Sequence, residues 1–163
     1  MTTIHEVLDG LRSSALDERD KGDLFEKLTK RWLEVDPVYR DFFDKVWMFG
    51  DWAEEFGQPR KDVGIDLVAR ESESGDIWAI QCKFYAENAR LDKPEIDSFF
   101  TASGKTDFSG RIIFSTTDNW TANAEAALEN QTIPVTRIRV QDLDDSGVAW
   151  SAFSLKKDTE PRL

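Results

Sequence analysis

Gly64-Ile65-Asp66-Leu67-Val68-Ala69-Arg70 and Ile77-Trp78-Ala79-Ile80-Gln81-Cys82-Lys83-Phe84-Tyr85, joined by Glu71-Ser72-Glu73-Ser74-Gly75-Asp76, are the stretches whose reading decides the fold. The flanks are apolar and β-branched and the connection is polar with a glycine, so the pair reads as two strands of a hairpin. Strand side chains alternate, which gives Gln81 and Lys83 one face and Ile80, Cys82 and Phe84 the other. If Arg70 and Ile77 close the hairpin, Asp66 lies opposite Gln81, and directly opposed residues point the same way. A slip of one residue would turn Asp66 to the wrong side. In the favourable register a carboxylate, a carboxamide and an ammonium converge beside an apolar sheet.

Outward from the hairpin, the chain reads as helices, three strands, helix, strand, helix, strand: an α/β fold with a mixed sheet and helices on its faces. Thr3 to Leu16 suits a first helix, with Gly22 separating it from a stronger one that carries Leu24, Phe25, Leu28, Trp32 and Val35 at helical spacing. Pro37 ends that helix. Lys45-Val46-Trp47-Met48-Phe49 reads as a strand bounded by Gly50-Asp51. Asp92 with Glu95 resembles a capping box and Pro94 fits a first turn, opening a helix whose buried side is Ile96, Phe99 and Phe100. Arg111-Ile112-Ile113-Phe114-Ser115 has too few polar positions for a half-exposed strand and belongs inside the sheet. Thr121 to Glu129 reads as a helix and Pro134 to Val140 as a strand. One domain over residues 1–157 is expected, with 158–163 a polar tail that reads as a linker.

The 163 residues suffice for one core, with 40% hydrophobic residues including 11 Phe and 6 Trp. Nothing approaches the ~18 apolar residues of a membrane span, and the N-terminus lacks the basic start and apolar run of a secretory signal. A cytoplasmic protein is the expectation. One cysteine and one histidine exclude an internal disulfide, a multi-thiolate zinc site and chemistry on several imidazoles. The net charge of −11 argues against a protein held to nucleic acid by bulk charge. The acidic excess is uneven: residues 60–111 carry 8 basic and 10 acidic groups, against 8 and 14 over residues 1–59. If the protein touches DNA, contact is expected in this nearly balanced middle third, or a partner domain must hold the duplex.

The hairpin trio suits phosphodiester hydrolysis. Mg²⁺ prefers hard oxygen ligands; Asp66 would hold it, with Gln81 and the backbone carbonyl of Cys82 as neutral oxygens. Lys83 could orient an attacking water or offset charge growing on phosphorus. A second carboxylate from elsewhere would help recruit the ion.

The Asp66 and Gln81-x-Lys83 arrangement resembles the PD-(D/E)XK nuclease superfamily, in the variant with glutamine for the usual acid that is typical of Mrr-like restriction endonucleases. Gly22-Asp23-Leu24-Phe25-Glu26 resembles the first-helix motif of that family, and Ser115-Thr116-Thr117 its strand-to-helix junction. Trp47 to Asp51, Asp62 to Asp66, Ala79 to Tyr85 and Ile96 to Lys105 are similar to the N-terminal nuclease domain of Type ISP enzymes, the single-polypeptide, ATP-dependent restriction-modification enzymes. The resemblance spans roughly Lys21 to Phe153. It implies a bacterial metal-dependent deoxyribonuclease that cuts double-stranded DNA with Mg²⁺, Mn²⁺ substituting. Glu26 joins the metal site in that reading. It further implies a helicase-like motor in the same polypeptide, ATP used only through other domains, and a second nuclease copy for double-strand cleavage.

Each assignment has a plainer reading. Helix periodicity puts Glu26 away from the apolar stripe, beside Leu33, and would call it solvated. Asp62 suits a turn as well as a metal. Cys82 suits a small core residue, His5 is incidental, and the tryptophans suit a core better than base stacking. Arg60, Lys61, Arg90, Lys93 and Lys105 are candidate phosphate contacts that ordinary surface charge explains equally. Ser103-Gly104-Lys105-Thr106 ends like a phosphate-binding loop but follows a helix and lacks the first glycine. The alternative function is a catalytically inactive nuclease-fold module that docks on DNA or on a motor. An acidic nucleic-acid mimic ranks last, because acidity alone does not explain the paired strands.

Overall fold

The computed structural model describes residues 3–59, 64–86, 88–104, 108–129 and 131–153. Five strands form one sheet in the order β1 (Phe43–Met48), β2 (Leu67–Glu71), β3 (Ile77–Lys83), β4 (Phe108–Ser115) and β5 (Val135–Arg139). The first three pair antiparallel and the last three parallel, the mixed sheet expected from the sequence. The hairpin pairs Arg70 with Ile77 and Leu67 with Ile80, where the ladder ends one residue short of Asp66 and Gln81. β4 is paired on both edges and buried at seven of its eight positions, which explains its apolar sequence.

Helices cover both faces. On one, α1 (Ile4–Ser14), α2 (Glu18–Val35), α3 (Tyr39–Phe42) and α7 (Val140–Asp144) flank a core of Leu8, Phe25, Leu28, Trp32, Ile80, Ile112 and Phe114. Phe25 stacks on Phe84 at 4.9 Å and Trp32 meets Phe114 edge-on at 5.7 Å, tying α2 to the sheet. On the other face, α4 (Phe49–Glu55), α5 (Pro94–Ser103) and α6 (Ala122–Ala127) enclose Trp52, Val68, Ala79, Ile96, Phe99 and Ile113. A short 3-10 turn, Trp150–Ala152, follows α7. Five of the six tryptophans are buried, so their weight is in the core.

Three local expectations are corrected. The break between the first two helices falls at Ala15–Asp17, where Asp17 accepts from Asp20 N at 2.8 Å as N-cap; Gly22 lies inside α2. Nothing stands within 4 Å of where a Gly22 side chain would begin, so the glycine costs only its propensity, about 1 kcal/mol. Phe49-Gly50-Asp51 opens α4 instead of ending a strand, since Phe49, Trp52 and Ala53 are buried at helical spacing. The capping box at Asp92 and Glu95 does not form: Asp92 Oδ1 accepts from Thr121 Oγ1 at 2.6 Å, linking the starts of α5 and α6. The tail 158–163 lies outside the described residues. Among the described residues no helix is long and apolar enough to cross a membrane.

Candidate active site

The ladder between β2 and β3 ends at Leu67 and Ile80. Beyond it Asp66 leaves the regular pattern: its N–H donates to the Ile80 carbonyl (2.9 Å) while its carbonyl accepts from Phe49 N on the β1 side (2.9 Å). A strand residue in register sends both groups the same way. The Cys82 N–H, next in the series aimed at β2, is taken by Asp66 Oδ2 at 2.7 Å. A carboxylate therefore replaces a backbone acceptor at the strand end, a short, charge-assisted bond that pins Asp66 against β3. The Cys82 carbonyl points to the same edge as its N–H, because both backbone groups of a strand residue face one neighbour.

Gln81 is 3% exposed. Its Nε2 donates to the Gly64 carbonyl at 3.1 Å, and its Oε1 is buried with no hydrogen-bond partner among the described residues. By strand alternation Gln81 and Lys83 share the face of Ala79, turned to α5. Lys83 is half-buried, and among the described residues its ammonium makes no ion pair or hydrogen bond.

Glu26 comes from the other face. It is half-buried on the side of α2 that also carries Thr29 and Leu33, both at 0% exposure, so the solvated reading of helix periodicity fails. The stripe Leu24–Leu28–Trp32 accounts for only part of what α2 buries. The Cys82 thiol feels charges from several elements. Burial pushes it well above the usual thiol range, and the Asp66 carboxylate adds to the rise. Glu26 adds a smaller rise, while the Thr29 hydroxyl and the Lys83 ammonium pull the other way. Asp66, Glu26 and Lys83 are thus the charged groups that bear on the Cys82 thiol, with Gln81 its neighbour on β3. Cys82 also packs against the α1/α2 core, as a small core residue would. Among the described residues no three His, Cys, Asp or Glu side chains form a metal cluster.

Two braces hold the exit of β3, one from the Ser115-Thr116-Thr117 junction and one, Arg12, that carried no signal in the sequence. Thr116 Oγ1 accepts from Tyr85 N (2.7 Å) and donates to Tyr85 O (2.7 Å), while Thr116 N donates to Lys83 O (3.1 Å); the β4–α6 junction therefore fixes the exit of β3. Arg12 donates from α1 to the Tyr85 carbonyl at 3.2 Å with its guanidinium 4.9 Å from the Phe84 ring centre. Of the candidate phosphate contacts, Arg90 is exposed and Lys93 pairs with Asp97 at 3.0 Å. Asp62, Arg60, Lys61 and Lys105 lie outside the described residues. A cavity of about 560 Å³ lined by His5, Asp9, Arg12, Thr116 and Asn119 contains none of the five site residues.

A helix-flanked mixed sheet with an acid and a Gln-x-Lys strand at its open end defines the restriction-endonuclease-like class of the PD-(D/E)XK type. The family described as Restriction endonuclease (Mrr_cat_2) matches residues 34–160, and the chain belongs to it. The matched span takes in Asp66, Gln81, Cys82 and Lys83 and leaves out Glu26. Among solved structures, the ATP-dependent Type ISP restriction-modification enzyme LlaBIII bound to DNA superposes on 100% of the chain with a TM-score of 0.79 and 29% identity. The DNA modification-dependent restriction endonuclease AspBHI covers 85% of it at a TM-score of 0.55 and 14% identity, a likeness of fold. The chain spans 10% of the LlaBIII chain and 33% of the AspBHI chain. A search of the curated proteins finds no match.

Proposed function

We propose that residues 1–157 form a Mg²⁺-dependent DNA endonuclease domain that nicks one strand per copy. It would serve as the nuclease part of a longer ATP-dependent restriction-modification polypeptide. The observation that carries this is the Asp66 carboxylate held 2.7 Å from Cys82 N, beside a buried glutamine whose Oε1 has no partner. An unpartnered buried acceptor costs about 1–3 kcal/mol, and a cation ligated there would remove that cost. Asp66, Glu26, Gln81 Oε1 and the Cys82 carbonyl would hold Mg²⁺ or Mn²⁺ through oxygens alone. When bound, the ion supplies Lewis acidity to the phosphate and to the attacking water. Lys83, uncommitted among the described residues, orients that water and offsets charge on the phosphate oxygens. One site per chain cuts one strand of double-stranded DNA, so a double-strand break needs a second copy or a second nick. The net charge of −11 makes intrinsic DNA affinity weak, and a helicase-like motor in the same polypeptide would deliver the duplex.

The test is Lys83→Ala in the polypeptide that joins this domain to its motor, scored for DNA scission and for ATP hydrolysis. Scission should fall about 100-fold or more, the scale of losing one preorganised charge stabiliser, while ATP hydrolysis runs unchanged. Undiminished scission removes the reading. Mg²⁺ titration into wild type and Asp66→Ala separates it from a docking module without catalysis, for which both bind equally little.

A further inference from the structure

Gly64 has φ +104°, a backbone conformation that favours glycine. A Cβ there would meet Phe99 N, Ser98 C and Ser98 Oγ, each at 3.0 Å. Its backbone is therefore pressed onto α5 with no room for a side chain. From that position its carbonyl accepts from Gln81 Nε2 at 3.1 Å. The Gln81 amide is 3% exposed and can satisfy this contact in one orientation only, since a reversed amide would set two acceptors face to face. The orientation leaves Oε1 buried and without a hydrogen-bond partner.

We propose that the Gly64 carbonyl, seated on α5, is the positioning group that makes position 81 a neutral, one-way oxygen donor and selects glutamine there over glutamate. A carboxylate at 81 would confront the Gly64 carbonyl with no donor between them. The extra negative charge, which by simple electrostatics should strengthen a divalent-cation site, would instead turn the side chain away from it. The proposal rests on the reading of the site as a metal centre, and the test keeps the two apart.

Gln81→Glu, Gly64→Ala and, as control, Gly75→Ala are compared with wild type in the chain, first by thermal unfolding in EDTA and then by titration with Mg²⁺ and Mn²⁺ alone. Gly75 has φ +76° in the hairpin turn with nothing within 4 Å of a Cβ, so it carries the strain without the contact. In EDTA, Gln81→Glu should melt about 3–6 °C lower, the scale of one buried acceptor left facing another in a chain of this size. Its cation affinity should be about tenfold weaker than wild type despite the added charge. Gly64→Ala should lose affinity similarly, and Gly75→Ala should keep it. If Gly64→Ala does not fold, Gln81→Glu decides alone. Equal or tighter cation binding by Gln81→Glu, or an unchanged melting temperature in EDTA, overturns the proposal. Absence of cation binding by wild type removes the metal reading, while the EDTA comparison still tests the contact between Gly64 and Gln81.

Discussion

Replacing Asp66 tests the geometry of the site without reference to its chemistry. Asp66 Oδ2 accepts the Cys82 N–H at 2.7 Å where the β2–β3 ladder has already ended. Hydrogen bonds to charged groups contribute about 1.5–3 kcal/mol, and neutral ones about 0.5–1.5. Asp66→Asn keeps an acceptor of the same reach and loses the charge; Asp66→Ala loses both and leaves the Cys82 N–H to water. Both substitutions remove the same negative charge, so its effect on neighbouring groups cancels between them. The difference between the variants isolates the hydrogen bond, and Asn should be the more stable by about 1 kcal/mol. For a chain of 163 residues that is about 2–4 °C in melting temperature. The assay is thermal unfolding in EDTA by circular dichroism, repeated in urea to check that m is unchanged. Ala equal to or more stable than Asn would mean that the bond to Cys82 does not hold Asp66, and the pocket built on it would lose its anchor.

Arg111, 4% exposed on β4, donates to Ser103 Oγ (2.7 Å), Gln131 Oε1 (2.9 Å) and the Phe100 carbonyl (3.1 Å), with burial lowering its pKa. Arg111→Met strands these acceptors between α5 and β5 and should cost about 3 kcal/mol in urea unfolding; a loss under 1 kcal/mol would contradict the staple. Burial, then the Glu95 carboxylate, push the Tyr85 hydroxyl up to about 12, and burial followed by Asp36 also raises Tyr39. These are the chain's 2 tyrosines, so absorbance titration of the folded protein should show less than half ionisation at pH 10. A raised folded pKa favours the neutral phenol. This contribution to stability is therefore complete below pH 10 and lost as pH rises through about 12. A tyrosine midpoint at 10 with circular dichroism still native would refute the burial argument.

What was legible in the sequence was whatever strand alternation controls. The pairing of Arg70 with Ile77, assumed from the polar turn between the two segments, is the register the hairpin adopts. Hence the strand that carries Gln81 and Lys83, and the partner strand whose start Asp66 precedes, could be read from two short segments. Positions set by contacts distant in sequence were not legible. Glu26 looked solvated because a single stripe was assumed for α2, whereas that helix buries Phe25, Leu28 and Trp32 on one side and Thr29 and Leu33 on another. A helix wedged between α1 and the sheet has two inner sides, and periodicity resolves only their sum. The same limit hid Gly64. Within its segment it reads as the punctuation before a strand, yet its role depends on Ser98 and Phe99, more than thirty residues away, and on a carbonyl that no side-chain pattern reports. The chemistry-bearing side chains were thus readable from local alternation, while the backbone groups and helix faces that aim them are properties of packing. Substitutions at Gly64 and Thr116 should therefore perturb the site as strongly as substitutions at the residues it displays.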